Sequence, residues 1–302
     1  MKRKLVQQGA STLMVSLPSK WIKENNLGKG DEIDMEVAGQ SVVIAAKFLR
    51  KKESKIKLSR IFEPLIRTLI SNSYRKGYDR ISVEFDSQKQ FKILEDTIHN
   101  NLIGFEIIKK DEKSCLVENV TEPSIDQFEN LLKKMFLGVH DLFEITKKRL
   151  DDPGCKEVED FEEVALRIQK YDNFCRRCVS KQSNIVENLE FFWMYLSMIF
   201  HGQRELLFIN RALDSKIKIS DKTKKILDKV YEIFKLSEKA YFERNIELLG
   251  KMHDAEQQIL RQKAHMHFIH AKDSKEHAII HYLLSSARKF FQSNSPLAGL
   301  LV

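Results

Sequence analysis

From Ser124 onward the apolar residues of this 302-residue chain return every three or four positions. Ile125, Phe128, Leu132, Met135, Val139 and Leu142 advance by 3, 4, 3, 4 and 3. A strand would alternate every second residue, so this spacing dictates a helix with one buried stripe, packed on its neighbours at a shallow angle. Asp151-Asp152-Pro153-Gly154 ends it, because proline cannot continue a helix and glycine favours the turn that leaves one. Further helices are predicted over 157–181, 184–213, 221–244, 245–270 and 274–292, with Ile185, Leu189, Phe192, Leu196 and Ile199 repeating the stripe. Six helices on short connections predict an all-α region of antiparallel three-helix bundles, two of them side by side.

Before Glu122-Pro123 the rhythm differs, and six of the eleven glycines lie ahead of residue 105. Residues 1–47 read as four short strands around one helical turn: 4–8, 12–17, a helix over 18–25, then 31–37 and 41–47. Ile33, Met35 and Val37 alternate, as do Val42 and Ile44, on either side of Ala38-Gly39-Gln40, which is a hairpin signal. So short a piece, with so few large apolar groups, cannot close a core alone and calls for a second copy. Trp21 and Ile22 are its expected core residues. Residues 48–121 follow a βαβαββ order, with Phe62, Leu65, Ile66, Leu69, Ile70 and Tyr74 on one helical face and Ile81, Val83 and Phe85 alternating as a strand. The expected fold is therefore multidomain α+β: residues 1–47, a small α/β segment over 48–121, and the helical region 122–302. No glycine-rich phosphate loop follows the strands.

Charge narrows the function. Residues 1–60 hold 13 basic and 6 acidic residues, against 38 and 37 in the remainder. Nearly all of the net +8 thus sits on one fifth of the chain, which points to a polyanion partner there. The longest apolar run, Phe191–Phe200 with Ser197 inside it, is too short for the roughly 20 residues a bilayer helix needs. The basic start Met1-Lys2-Arg3-Lys4 has no apolar stretch behind it, so neither a membrane span nor a signal peptide is expected. Cys115, Cys155, Cys175 and Cys178 are too few for a disulfide framework, and the cytoplasm is the expected location.

The string from Lys4 to Ile22, with its first strand, Gly9, a second strand ending in Leu17-Pro18 and a short helix, is followed by Leu27-Gly-Lys-Gly-Asp31. It resembles the AbrB/SpoVT swapped-hairpin family of DNA-binding domains. The resemblance covers residues 1–47 and implies a dimer in which two chains interleave their hairpins into one β-barrel and present basic strand and loop residues to double-stranded DNA. The residues so implicated are Lys2, Arg3 and Lys4 for phosphate, Gln7, Gln8, Ser11 and Thr12 for base edges or sugars, and Lys20 and Lys23 on the short helix. Many relatives carry an arginine near the turn, which is absent here.

The helical part resembles the PhoU family of tandem three-helix bundles, linked to control of phosphate uptake, and the pairing with an AbrB-like head resembles archaeal regulators. Family members hold a metal cluster with carboxylates spaced four apart. At the corresponding positions only Asp172, Glu205, Asp254 and Glu256 are acidic, so the bundle is expected without its cluster and no cofactor is expected. Cys175-Arg-Arg-Cys178 is a lone pair within a predicted helix and reads as ordinary helix residues. Six of the nine histidines fall between His253 and His281, with His267 and His270, and His277 and His281, each sharing a helical face. Metal binding and a protonation-sensitive interface are rival uses of that cluster.

No nucleophile triad, metalloprotease helix or phosphate loop is found, so an enzyme is not expected. The sequence reads as a homodimeric DNA-binding transcription regulator whose helical body senses or docks a partner, with phosphate uptake implied by the resemblance. The alternative is a signalling adaptor whose helices bind a transporter or kinase while the head only dimerises.

Overall fold

A computed structural model describes the chain apart from residues 1, 10, 39–40, 47–50, 59–61, 122–123, 156, 183–184, 215–216, 261–267 and 269–273. The chain divides into two compact units, Met1–Lys51 and Lys52–Val302.

In the first unit, the head, β1 (Val6–Gln8) pairs antiparallel with β2 (Thr12–Met14), and β3 (Asp34–Ala38) with β4 (Ser41–Ala45). Helix α1 (Ser19–Glu24) lies between the hairpins. Pro18 occupies the position before its first turn, where extended backbone and the proline ring agree (φ −64°, ψ 127°). Asn26 takes a left-handed conformation (φ 52°) and Leu27 N–H donates to Ile22 O at 3.0 Å, which closes the helix. The predicted strands 4–8 and 12–17 are shorter in the structure, because each has a single neighbour and pairing stops where the hairpin does. The described strands of one chain form two separate hairpins and not a closed barrel. Trp21 and Ile22 are half-buried, and among the described residues of the head no side chain is buried.

The second unit, the body, opens with a four-stranded sheet in the order β5-β6-β8-β7. Its strands are β5 (Glu53–Lys57), β6 (Arg80–Glu84), β7 (Phe105–Lys110) and β8 (Ser114–Asn119). β5 and β6 run parallel through α2 (Glu63–Arg75), as a crossover connection requires, and the other pairings are antiparallel. The alternation of β6 turns Ile81 and Val83 toward α2 and α3 (Gln88–Asn101), where they pack with Ile66, Ile70, Tyr74, Leu94, Ile98, Cys115 and Val117. Arg80, Ser82 and Glu84 face the other way.

The helical part comprises α4 (Ile125–Asp151), α5 (Phe161–Lys181), α6 (Leu189–Ala212), α7 (Asp221–Phe242), α8 (Glu247–Leu260), α9 (Ser274–Gln292) and α10 (Asn294–Leu301). Side chains start them: Ser124 and Gln127 form a reciprocal capping box on α4, and Asp160 and Ser220 accept first-turn N–H groups of α5 and α7. Because Asp160 caps α5, that helix begins at Phe161 and not at 157. Ile185 precedes α6, so the stripe on that helix starts at Leu189. The end of the predicted 245–270 helix lies outside the described residues. α4 packs on α5 and α6, while α9 lies along α6 and α7. Phe136, Phe143, Phe192, Tyr195, Phe234 and Phe290 lie at the centre of this core, each fully or almost fully buried and worth about 1.5–3 kcal/mol of transfer energy.

The two apolar cores of the body meet across a belt of charge on α5. Arg177, with no exposed surface, donates to Asp79 at 2.7 Å and to the carbonyls of Tyr74 and Tyr78 at 3.1 and 2.6 Å. Its guanidinium also lies 5.0 Å from the Tyr74 ring and 5.1 Å from the Phe105 ring. Lys181 reaches the same Asp79 oxygen at 2.6 Å. Beside them, Asp172 pairs with Arg176 at 2.9 Å and Arg75 at 3.2 Å, and Asn173 accepts from Arg75 and donates to Asn101 O. These bonds tie the α/β layer to the bundle.

Gly104, in the turn before β7, has φ +80°, and a β-carbon there would collide with the Thr121 hydroxyl and Asn119. Gly104→Ala is therefore expected to cost about 1–3 kcal/mol, which a lowered thermal melting midpoint would show.

Candidate nucleic-acid interface

The DNA-contact residues expected from the sequence all lie in the head, and Lys2, Arg3, Lys4, Gln7, Gln8, Ser11, Thr12, Lys20 and Lys23 are all exposed. The β1–β2 connection turns at Gly9, whose left-handed backbone (φ +74°) and open surroundings suit glycine. The register sets Gln8 opposite Thr12, Gln7 opposite Leu13 and Val6 opposite Met14. Cross-strand partners share a face and successive residues alternate, so Gln8 and Thr12 lie on one side of the hairpin and Gln7 on the other. The expected set is thereby split.

Lys20 and Lys23 sit on α1, and Lys20 lies 3.8 Å from Glu24, a solvent-exposed contact of little energy. After the helix, Gly28 N–H donates to Asp31 Oδ2 at 2.7 Å, so the Leu27-Gly-Lys-Gly-Asp31 signature folds back on its own aspartate. Large apolar groups surround these polar ones: Leu5, Val6, Leu13, Met14, Val15, Met35, Val37 and Val42 are all exposed in the single chain, Val37 by 73%. Val37 stands opposite Val42 and Met35 opposite Ile44, so the second hairpin carries one continuous apolar face.

The carboxylates weighed as metal ligands are not gathered. Asp172 is buried in ion pairs with two arginines, Glu205 accepts from Ser285 at 2.9 Å, and Asp254 and Glu256 lie on α8. Among the described residues no group of three or more His, Cys, Asp or Glu is placed to hold a metal ion. Burial pushes the Cys178 thiol up to about 12 and Cys175 upward too, which suits packed thiols and not nucleophiles. His267 and His270 lie outside the described residues, while His277 packs edge-on against Phe268 and His281 beside Tyr282. No described helix is long and apolar enough to cross a membrane.

What the sequence reading missed is the belt around Asp79, Asp172, Arg176 and Arg177. Its signal was Asp172 and Arg176 one helical turn apart, inside a stripe that also carries Ile168, Cys175 and Val179.

No curated protein and no solved structure matches the chain. Residues 6–57 match the family described as antidote-toxin recognition MazE, a bacterial antitoxin; the match covers both hairpins and α1, runs on into β5, and marks the N-terminal part of the chain as of the MazE/AbrB type.

Proposed function

We propose that the chain is a DNA-binding regulator, acting by binding and not by catalysis, whose head is completed by a second copy. One observation carries this reading: no described side chain of the head is buried, yet eight large apolar ones are exposed beside its basic residues. A monomer would leave that surface in water at about 25 cal/mol per Å² of apolar area, and association of two heads removes it. The similarity of residues 6–57 to an antitoxin family supports the same assignment. The body then acts as the partner-binding or sensing part. That it is PhoU-like and that the process is phosphate uptake rest on the sequence resemblance alone. A second reading, a signalling adaptor whose body binds a transporter or kinase, draws support from Leu137, Phe191, Met194, Phe242 and Ile246, which are exposed on the body.

The test is a titration of the full chain against labelled duplex DNA at several salt concentrations, with sedimentation in parallel. Binding by a dimer, weakening steeply as salt rises, is the expected result. A chain that stays monomeric at micromolar concentration, or that ignores duplex at low salt, would defeat it.

A further inference from the structure

We infer that the outer side of the α6–α9 pair holds a binding site for a tetrahedral oxyanion carrying two negative charges, seated between His201, Arg204 and Lys289. The inference goes beyond DNA binding by the head, does not depend on it, and gives the body a ligand class. Contacts between the two helices fix how they lie. The Ser286 hydroxyl donates to Gly202 O at 2.9 Å, the Ser285 hydroxyl donates to Glu205 at 2.9 Å, and the Phe208 and Tyr282 rings are 5.6 Å apart. Residue numbers rise along α6 as they fall along α9, so the pair is antiparallel. Lys289 stands one turn on from Ser285 along α9, and His201 one turn back from Glu205 along α6, which sets the two side by side. Arg204, three residues after His201, shares its side of α6.

This corner of the body is positive. Burial and the charges of Arg204, Lys289 and Arg176 hold the His201 pKa below the usual histidine range, against a smaller opposing pull from Asp172. Cations from α5, α6 and α9 thus converge on one imidazole. Asp172 is already engaged, with Arg176 at 2.9 Å and Arg75 at 3.2 Å, and Glu205 accepts from Ser285. Among the described residues no carboxylate lies within ion-pair distance of Arg204 or Lys289, whereas Arg211, further along α6, is paired with Glu162. Like charges held together without a counter-ion repel, and a titratable group displaced by such a cluster is the electrostatic signature of a site for a ligand of opposite sign.

The donors name the ligand. Arg204 offers a planar fork of N–H groups, steadied by the Phe208 ring 5.7 Å from its guanidinium, and Lys289 offers a compact point charge. Donors that arrive from two helices meet separate oxygens of a tetrahedral anion, whereas a carboxylate presents two oxygens in one plane. Two cations beside a neutral imidazole balance a dianion. Free sulfate or phosphate and the phosphoryl group of a modified partner share this chemistry.

The experiment is calorimetry of the full chain with sulfate, inorganic phosphate, a phosphoserine peptide and, as a planar control, acetate, all at one ionic strength. The expected result is saturable binding of a tetrahedral dianion, with acetate far weaker, and a loss of roughly 10- to 150-fold in affinity for each of Arg204→Gln and Lys289→Gln. Neither side chain is buried, so both variants should fold. Without anion they should melt no lower than the wild type, because each removes a like charge, and they should lose the rise in melting midpoint that the anion gives the wild type. Binding of the inorganic ions assigns the site to a free anion, and binding of the phosphopeptide alone assigns it to a partner's phosphoryl group. No binding of any probe, no preference over acetate, or equal binding by variants and wild type would overturn the inference. Replacing Arg3 and Lys4 by Ala should leave the anion affinity unchanged, and the two body variants should keep duplex binding. A wild type that ignores duplex but takes the anion would end the DNA-binding reading and leave this site standing.

Discussion

Asp79→Ala is expected to destabilise the body by about 3–5 kcal/mol, because it leaves the guanidinium of Arg177 buried without its carboxylate. Arg177 has no exposed surface and cannot turn to water, whereas Lys181, 21% exposed, can. The remaining partners of Arg177 are the carbonyls of Tyr74 and Tyr78 and two aromatic rings, which soften the penalty without neutralising the charge. Arg177→Met alone should cost less than Asp79→Ala, since Asp79 keeps Lys181. The double variant should be more stable than the two single losses added together, because neither charge is then stranded. Chemical denaturation of the four proteins checks this, and strict additivity would show that the pair is not coupled.

The same carboxylate makes an acid prediction. Burial raises the Asp79 pKa, but the Lys181 hydrogen bond, the Lys52 backbone N–H and the charges of Lys181 and Arg177 outweigh it and hold the group below the usual aspartate range. A group depressed in the folded state contributes stability that is present above its unfolded pKa of about 3.9 and is lost as pH falls through the folded value. The wild type should therefore lose stability below about pH 4 more steeply than Asp79→Asn does.

These large effects arise where the sequence was least legible. Periodicity reads apolar residues, so it found α4 from Phe128, Leu132, Met135 and Val139, and the sheet from Ile81 and Val83, which all prove buried. Arg176 and Arg177 are buried, and a residue-type reading assigns such charged groups to the surface. Asp172 stands one turn before Arg176 on α5, but Asp79 reaches Arg177 from the turn before β6, and a one-dimensional pattern does not hold that coincidence. α10 escaped for another reason: Pro296 and Gly299 look like breakers, yet Pro296 falls in the first turn, where its missing N–H costs nothing. In the head, the order of turn, helix and hairpin signals was visible in the sequence. The split between Gln7 and Gln8 needed the Val6–Met14 register.

Replacing Arg3 and Lys4 together by Ala should make the dependence of log affinity on log salt shallower by up to about 3.6. A dimer loses four charges in this variant, and each phosphate contact contributes about −0.9 to that slope through release of condensed counterions. Lys2, Arg3, Lys4, Lys20 and Lys23 are exposed in each copy, so a dimer offers ten such cations and the double variant removes four of them. The single variants divide that change between the two residues. Each of the two removes two charges per dimer on its own and should account for up to about 1.8 of the change. Affinity should fall alike on every sequence, since phosphate carries no sequence information, and Gln8→Ala should leave the slope unaltered. An unchanged slope in the double variant, with affinity retained, would remove this end of the head from the DNA surface. The basic strand β5, with Lys55 and Lys57 exposed, would then be the next candidate for phosphate contact. Loss of duplex binding altogether would leave the adaptor reading standing.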